Sequence, residues 1–251
     1  MYYLEIENCG RILRGMYHEG KDTNSFPVII VHGYFSANRI GPQRLFVKLA
    51  NTVANLGFHV YRFDLSGMGE SDGDINNITF NDHVSDVHTI LEFVKNRHHG
   101  LRITAIAHCL GCNVTLANIN YYPEMFREVI FLAPYFTTQE VLNRFFSTKA
   151  IEQLISMDYT YRKGLYVHAS FFKSSKQTDF VNMLKKTTIT LNVIIPEEDQ
   201  FIPLHSNKEV FDQINIAKMI YLPKSDHNFL ETNDILMKMV KGLLTDEKFT
   251  I

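Results

Sequence analysis

Residues 105–113 read "AIAHCLGCN", and their reading decides the fold. A run of small and apolar residues ends at His108-Cys109, and Leu110-Gly111 opens a segment of helical pattern. With serine at 109 the stretch would look like a strand-to-helix turn that presents a nucleophile. With cysteine it is that turn carrying sulfur, a redox C-x-x-C pair with Cys112, half of a metal site, or two buried thiols. The choice depends on what the rest of the chain brings to the same place.

The chain has 251 residues, 45% hydrophobic and 21% charged, which suits a globular protein with a sizeable core. A net charge of −2 without a Lys/Arg stripe argues against nucleic acid as a partner. No apolar run approaches the ~20 residues that span a bilayer, so membrane insertion is not expected. The opening "MYYLEIENCGRILRG" lacks the basic and apolar regions of a signal peptide. Three cysteines cannot all pair with one another, and a reducing cytoplasm is the expected compartment.

Outward from 105–113, the pattern alternates strands with helices. Residues 2–8 and 11–18 read as a hairpin turned by Cys9-Gly10. "FPVIIVHG" (26–33), "FHVYRFD" (58–64), "LRITAIAH" (101–108), "REVIFLAPY" (127–135), "TLNVIIP" (190–196) and "AKMIYLP" (217–223) read as strands, the first two buried on both faces. Helical spacing marks 43–56, 79–97, 110–122, a stretch near 205–213, and 231–244. This rhythm predicts β-α-β crossovers and a mostly parallel sheet flanked by helices. Between 136 and 187 the rhythm breaks, so that segment is expected to be an insertion over one end of the sheet, within a single domain spanning 1–251.

Ligands of open α/β sheets bind past the carboxyl ends of the strands. Those positions hold His32-Gly33-Tyr34, Asp64, His108-Cys109-Leu110-Gly111, the segment Pro196 to Asp199, and Lys224 to His227. A nucleophile, a carboxylate and a histidine thus follow in the chain order Cys109, Asp199, His227, which is the order of the α/β-hydrolase fold. Ala107 and Gly111 supply the small neighbours a sharp elbow needs. A helix start beside Cys109 favours its thiolate. The N–H groups of Leu110 and Tyr34 are placed to face an oxyanion. His227 would take or hold the thiol proton, with Asp199 setting its tautomer.

With these residues in place, the chain resembles the α/β-hydrolase superfamily, and within it small esterases of the feruloyl and cinnamoyl type. The matching pieces are "VIIVHGYF", "YRFDLSGMGESDG", "AHCLGC", "IIPEEDQFIP" and "SDHNF", in family order across roughly residues 26–230. "RKGLYVHASFF" (162–172) is similar to part of the lid those esterases carry. The resemblance implies an α/β-hydrolase fold with a lid insertion, the triad Cys109, His227 and Asp199, and Tyr34 and Leu110 as oxyanion donors. Three positions depart from the pattern: Cys109 stands where serine is normal, and Pro196 and Cys112 stand where glycines are usual.

The competing readings are weaker. A redox pair leaves Asp199 and His227 unexplained, and a zinc site lacks a second pair of ligands. Cys112 is expected to pack, Asp64 to hold its glycine-rich loop, and His32 and His108 to flank the site. His98-His99, at a helix end, is expected to be solvated. The insertion's aromatics (Phe145, Phe146, Tyr159, Tyr161, Tyr166, Phe171, Phe172) either line an acyl pocket or pack the lid to the body. The expected activity is acyl hydrolysis, as an esterase or thioesterase, through an S-acyl-cysteine intermediate and without cofactor or metal. The substrate would be a small-molecule acyl ester or thioester. An acyltransferase or cyclase using a group bound to CoA or an acyl carrier protein is the alternative. A non-catalytic ligand-binding chain is less favoured, because a retired site has no need of Asp199 and His227.

Overall fold

The computed structural model describes residues 1–22, 25–33, 37–136, 142–144, 146–162, 165–214 and 217–245. Among these, eight strands form one sheet: β1 (Tyr2–Asn8), β2 (Arg11–His18), β3 (Val28–Val31), β4 (Val60–Phe63), β5 (Ile103–His108), β6 (Phe126–Leu132), β9 (Thr190–Pro196) and β10 (Ala217–Leu222). Their order is β1-β2-β4-β3-β5-β6-β9-β10. The pairs β1/β2 and β2/β4 are antiparallel, and every pair from β4 to β10 is parallel. The chain therefore has the α/β-hydrolase architecture that the strand-helix alternation predicts.

Period-two alternation divides the core. Ile29, Val31, Ala105, Ala107, Val129, Phe131, Val193 and Ile195 face one side of the sheet, where they meet α2 (Phe80–Arg97) and α3 (Leu110–Tyr121). Val28, Ile30, Ile106, Ile130, Leu132 and Ile194 face the other, against α1 (Leu45–Asn55) and α8 (Asn233–Thr245). Each fully buried Leu, Ile or Val contributes about 1.5–3 kcal/mol, so the central strands carry most of the cohesion. Helix α2 begins with a reciprocal cap: Asp82 N–H donates to Thr79 Oγ1 at 3.2 Å, and Thr79 N–H donates to Asp82 Oδ2 at 2.9 Å.

Between β6 and β9 lie α4 (Thr148–Met157), a hairpin of β7 (Tyr159–Arg162) and β8 (Leu165–His168), α5 (Ala169–Lys176) and α6 (Phe180–Lys186). The hairpin forms its own two-stranded sheet, which the irregular hydrophobic pattern of 136–187 does not reveal. Helix α7 (Leu204–Phe211) follows β9. Phe171 meets Phe80 of α2 edge-on at 6.0 Å between ring centres, and Phe146 meets Phe172 at 5.8 Å. These aromatics pack the segment onto the body, whereas Tyr159 and Tyr161 are exposed. Phe145 lies outside the described residues, as does the side chain of Tyr166.

One expectation is corrected here. His98 is buried rather than solvated, with its Nε2 paired to the Tyr61 hydroxyl at 2.8 Å, while His99 is exposed. His98 ends α2 with its N–H on the Val94 and Lys95 carbonyls, and its ring packs against those of Tyr61 and His59 before the chain turns at Gly100 (φ 81°). Among the described residues, no helix is long and apolar enough to cross a membrane.

Candidate active site

The carboxyl ends of β3, β5, β6 and β9 lie side by side, with Val31 opposite Ala107, His108 opposite Leu132, and Leu132 opposite Ile194. Cys109 follows β5 directly and caps the N-terminus of α3 with φ 53° and ψ −121°. That conformation is costly for any residue with a side chain, on the order of 1–3 kcal/mol, and persists only where the surroundings impose it. Here the Cys109 N–H donates to the Leu132 carbonyl at 3.0 Å, and its own carbonyl accepts from Cys112 N–H at 3.0 Å.

Two glycines make the turn fit. A Cβ on Gly111 would sit 2.6 Å from the carbonyl oxygens of both Val31 and His32. A Cβ on Gly33 would sit 3.2 Å from Cys109 Cβ and 3.7 Å from its Sγ, so the loop after β3 passes directly beside the sulfur. Cys112 is fully buried, and its thiol donates to the Ala107 carbonyl at 3.2 Å. Burial raises its pKa well above the ordinary thiol value, so it packs as expected.

Asp199 and His227 meet across the ends of β9 and β10. His227 Nδ1–H donates to Asp199 Oδ2 at 2.7 Å, because a carboxylate only accepts. Asp199 Oδ1 accepts from the backbone N–H groups of Phe201 and Ile202, both at 2.8 Å. Both side chains are buried, whereas Glu197 and Glu198 are exposed. Cys109 lies near enough to the imidazole for its charge to act on the ring. Burial alone would depress His227, but the charge of Cys109 and the hydrogen bond His227 donates to Asp199 outweigh it. The Asp199 charge adds to these, and the pKa is raised to about 10. The three residues singled out from chain order therefore lie in one contiguous chain of contacts. Leu110 opens α3, where an N–H has no intrahelical partner. Tyr34 lies outside the described residues.

The supporting shell is polar and neutral at its centre. His108 Nε2–H donates to the His227 carbonyl at 2.9 Å. His32 donates from Nδ1 to the Gly33 carbonyl at 2.7 Å and accepts at Nε2 from Leu65 N–H at 3.0 Å. Asp64 accepts from the N–H groups of Arg39 at 2.6 Å and Glu70 at 2.9 Å, and pairs with the Arg39 guanidinium. It thereby holds the glycine-rich loop to the segment after β3. Sequence reasoning missed Arg39 and Phe201, whose ring stands edge-on to His227 at 5.2 Å. Arg39 is 25 residues from Asp64, and nothing in its spacing pairs the two. Among the described residues no His, Cys, Asp and Glu cluster could hold a metal ion.

Burial lowers His32 and His83 to about 4 and His108 to about 3, below the ordinary 6.5. Neutral histidines in the fold contribute stability that is present above pH 6.5 and lost as pH falls toward 4. Each group costs up to about 1.4 kcal/mol per pH unit in that window. His227 runs the other way: its contribution is complete below pH 6.5 and lost as pH rises through 10. Urea midpoints should accordingly fall steeply between pH 6.5 and 4.5, and His32→Gln should flatten that limb; an unchanged slope would remove His32 from the account.

A family described as Hydrolase_4, serine aminopeptidase, S33, matches residues 26–182. The match includes the Cys109 elbow and stops before Asp199 and His227. No curated protein sequence matches the chain. Est1E from Butyrivibrio proteoclasticus, solved with ferulic acid bound, superposes with a TM-score of 0.85 at 17% identity, covering 97% of this chain and 98% of that one. Alpha/beta hydrolase domain-containing protein 10 from mouse gives 0.81 at 18% identity, with coverage of 99% and 100%. The thioesterase domain from the curacin biosynthetic pathway gives 0.69 at 12% identity, with 96% and 99% covered. At these identities the likeness is one of fold.

Proposed function

The chain belongs to the Hydrolase_4 (serine aminopeptidase, S33) family, and from that premise we propose that it is an acyl hydrolase working through a covalent S-acyl intermediate on Cys109. Cys109 is the nucleophile, His227 the acid and base, and Asp199 the residue that orients His227. The observation that carries this reading is the strained Cys109 elbow beside a His227 that Asp199 holds at 2.7 Å. The substrate is a small-molecule ester or thioester, in keeping with the ferulic acid bound to Est1E and the curacin thioesterase domain. The chain acts as one domain with 136–187 as its lid.

His227 takes up the thiol proton of Cys109, and the sulfur attacks the acyl carbon. The carbonyl π bond opens onto oxygen, and the oxyanion meets the N–H groups of Leu110 and Tyr34. The C–O or C–S bond of the substrate then breaks, and the leaving group takes the His227 proton. The neutral imidazole next accepts a proton from water, whose oxygen attacks the thioester. Collapse expels sulfur, releases the acid and restores the charged His227.

Intact-mass measurement with aryl esters and acyl thioesters tests this reading. The expected result is an adduct on Cys109 that turns over to free acid. An adduct that clears only when an amine or alcohol acceptor is added would make the chain an acyltransferase instead. If reduced Cys109 never forms an adduct, the proposal fails. Asp199→Asn should slow turnover by less than the roughly 10⁴-fold of serine triads, because the Cys109 charge also holds His227 charged.

A further inference from the structure

We propose that His108 is a positioning residue for this reaction: through its Nε2–H bond to the His227 carbonyl, it bolts the backbone of the histidine loop to the residue beside the nucleophile. The inference rests on Cys109 being that nucleophile.

The geometry is specific. His108 closes β5, and its side chain reaches a partner 119 residues away, donating to the His227 oxygen at 2.9 Å. The carbonyl can only accept, so the hydrogen sits on Nε2. Among the described residues, the other bonds of the 222–232 loop run within that loop, to the acid loop or to the helix that follows it. Phe229 N–H donates to the Asp226 carbonyl, Leu230 N–H to Asp226 Oδ1, Ser225 pairs with Thr232, and Glu198 N–H donates to the Ser225 carbonyl. The His108 bond instead ties that loop directly to the strand carrying the elbow.

Its ring is wedged edge-on against Phe46 at 5.7 Å and Phe229 at 6.3 Å, and lies 5.1 Å from the His227 ring. An apolar side chain would fill this space without the cost of burying an imidazole, so the retained polar atom has a task. The charged and titratable groups that face it are His227, Asp199 and His32. Burial and the His227 charge keep the His108 ring neutral, so it remains a fixed donor and never competes with His227 for the proton. A slip of about 1 Å between reacting groups can cost on the order of 100-fold in rate. Anchoring the His227 backbone limits that slip.

Alkylation of Cys109 by iodoacetamide, followed by peptide mass from pH 5 to 10, tests this. Exposed Cys9 serves as the reference thiol in the same molecule. In the wild type, Cys109 should react well ahead of Cys9 at pH 6. His108→Phe keeps a ring against Phe46 and Phe229 but has no donor. It should slow Cys109 at pH 6 by about tenfold or more and move its pH profile toward that of Cys9, lowering kcat more than it changes KM. His108→Gln places an amide N–H near the Nε2 position and should recover most of the loss. Should His108→Phe not fold, His108→Asn, whose amide is too short to reach, takes its place against His108→Gln. A folded His108→Phe with the wild-type rate and profile would overturn the inference, as would equal losses in the Phe and Gln variants. A wild type in which Cys109 is no faster than Cys9 would overturn the nucleophile reading itself, and this inference with it.

Discussion

Cys109→Ala lowers ester and thioester turnover by about 10⁴-fold or more, the scale seen when a covalent nucleophile is removed. The variant keeps its fold, because the loss is one buried sulfur at a turn already held by Leu132 and Cys112. It also lowers the His227 titration from about 10, since the charge of Cys109 is the largest influence raising it. Two readouts therefore move together: steady-state turnover and the pH at which the His227 ring resonances shift. Turnover that survived the substitution would place the chemistry elsewhere. Cys109→Ser separates nucleophilicity from charge. A hydroxyl keeps an attacking atom in the elbow but no longer holds His227 charged, so His227 reverts toward a neutral base at pH 7. Faster hydrolysis in that variant would mean that sulfur in this elbow disfavours water as the acyl acceptor.

Gly111→Ala produces a large stability change for a single added methyl. Its Cβ would lie 2.6 Å from the carbonyl oxygens of Val31 and His32, at the carboxyl end of β3 near the centre of the sheet. Neither oxygen belongs to a flexible side chain, so α3 must lift away from β3. A clash with rigid backbone costs about 3 kcal/mol, and for a chain of this size each kcal/mol lowers the melting temperature by roughly 2–4 °C. A fall of about 6–12 °C in calorimetry is expected, together with weakened activity because α3 carries the elbow. Gly10→Ala is the contrast: nothing lies within 4 Å of its Cβ, so only the positive φ of 76° is penalised, by about 1–2 kcal/mol. Equal shifts in the two variants would show that the Gly111 contact is not what matters.

Much of the architecture was legible because local hydrophobic patterning and tertiary burial agree. "VIIV" is apolar throughout, "VYRF" and "ITAIAH" are predominantly so, and all three strands are buried along their whole length. The hairpin β7/β8 was not legible, because its four-residue strands are too short to build a period and carry exposed Tyr159 and Tyr161. His98 reads as a solvated helix end, and only its contact with Tyr61, 37 residues earlier, buries it. Of the three carboxylates past β9, Glu197, Glu198 and Asp199, only Asp199 is turned toward His227, and the register of that turn is not written in the chain.

By itself the sequence determined the order of strands and helices, and the chain order of Cys109, Asp199 and His227 past the strand ends, because both follow from periodicity and position along the chain. Only the tertiary structure decided that His227 lies between Asp199 and Cys109, that Arg39 pairs with Asp64, and that His108 reaches the His227 carbonyl. Those contacts join residues 25 to 119 positions apart. Hydrogen bonds depend on angstrom-scale distance and direction, which arise when strand ends are laid side by side and leave no periodic trace in the chain.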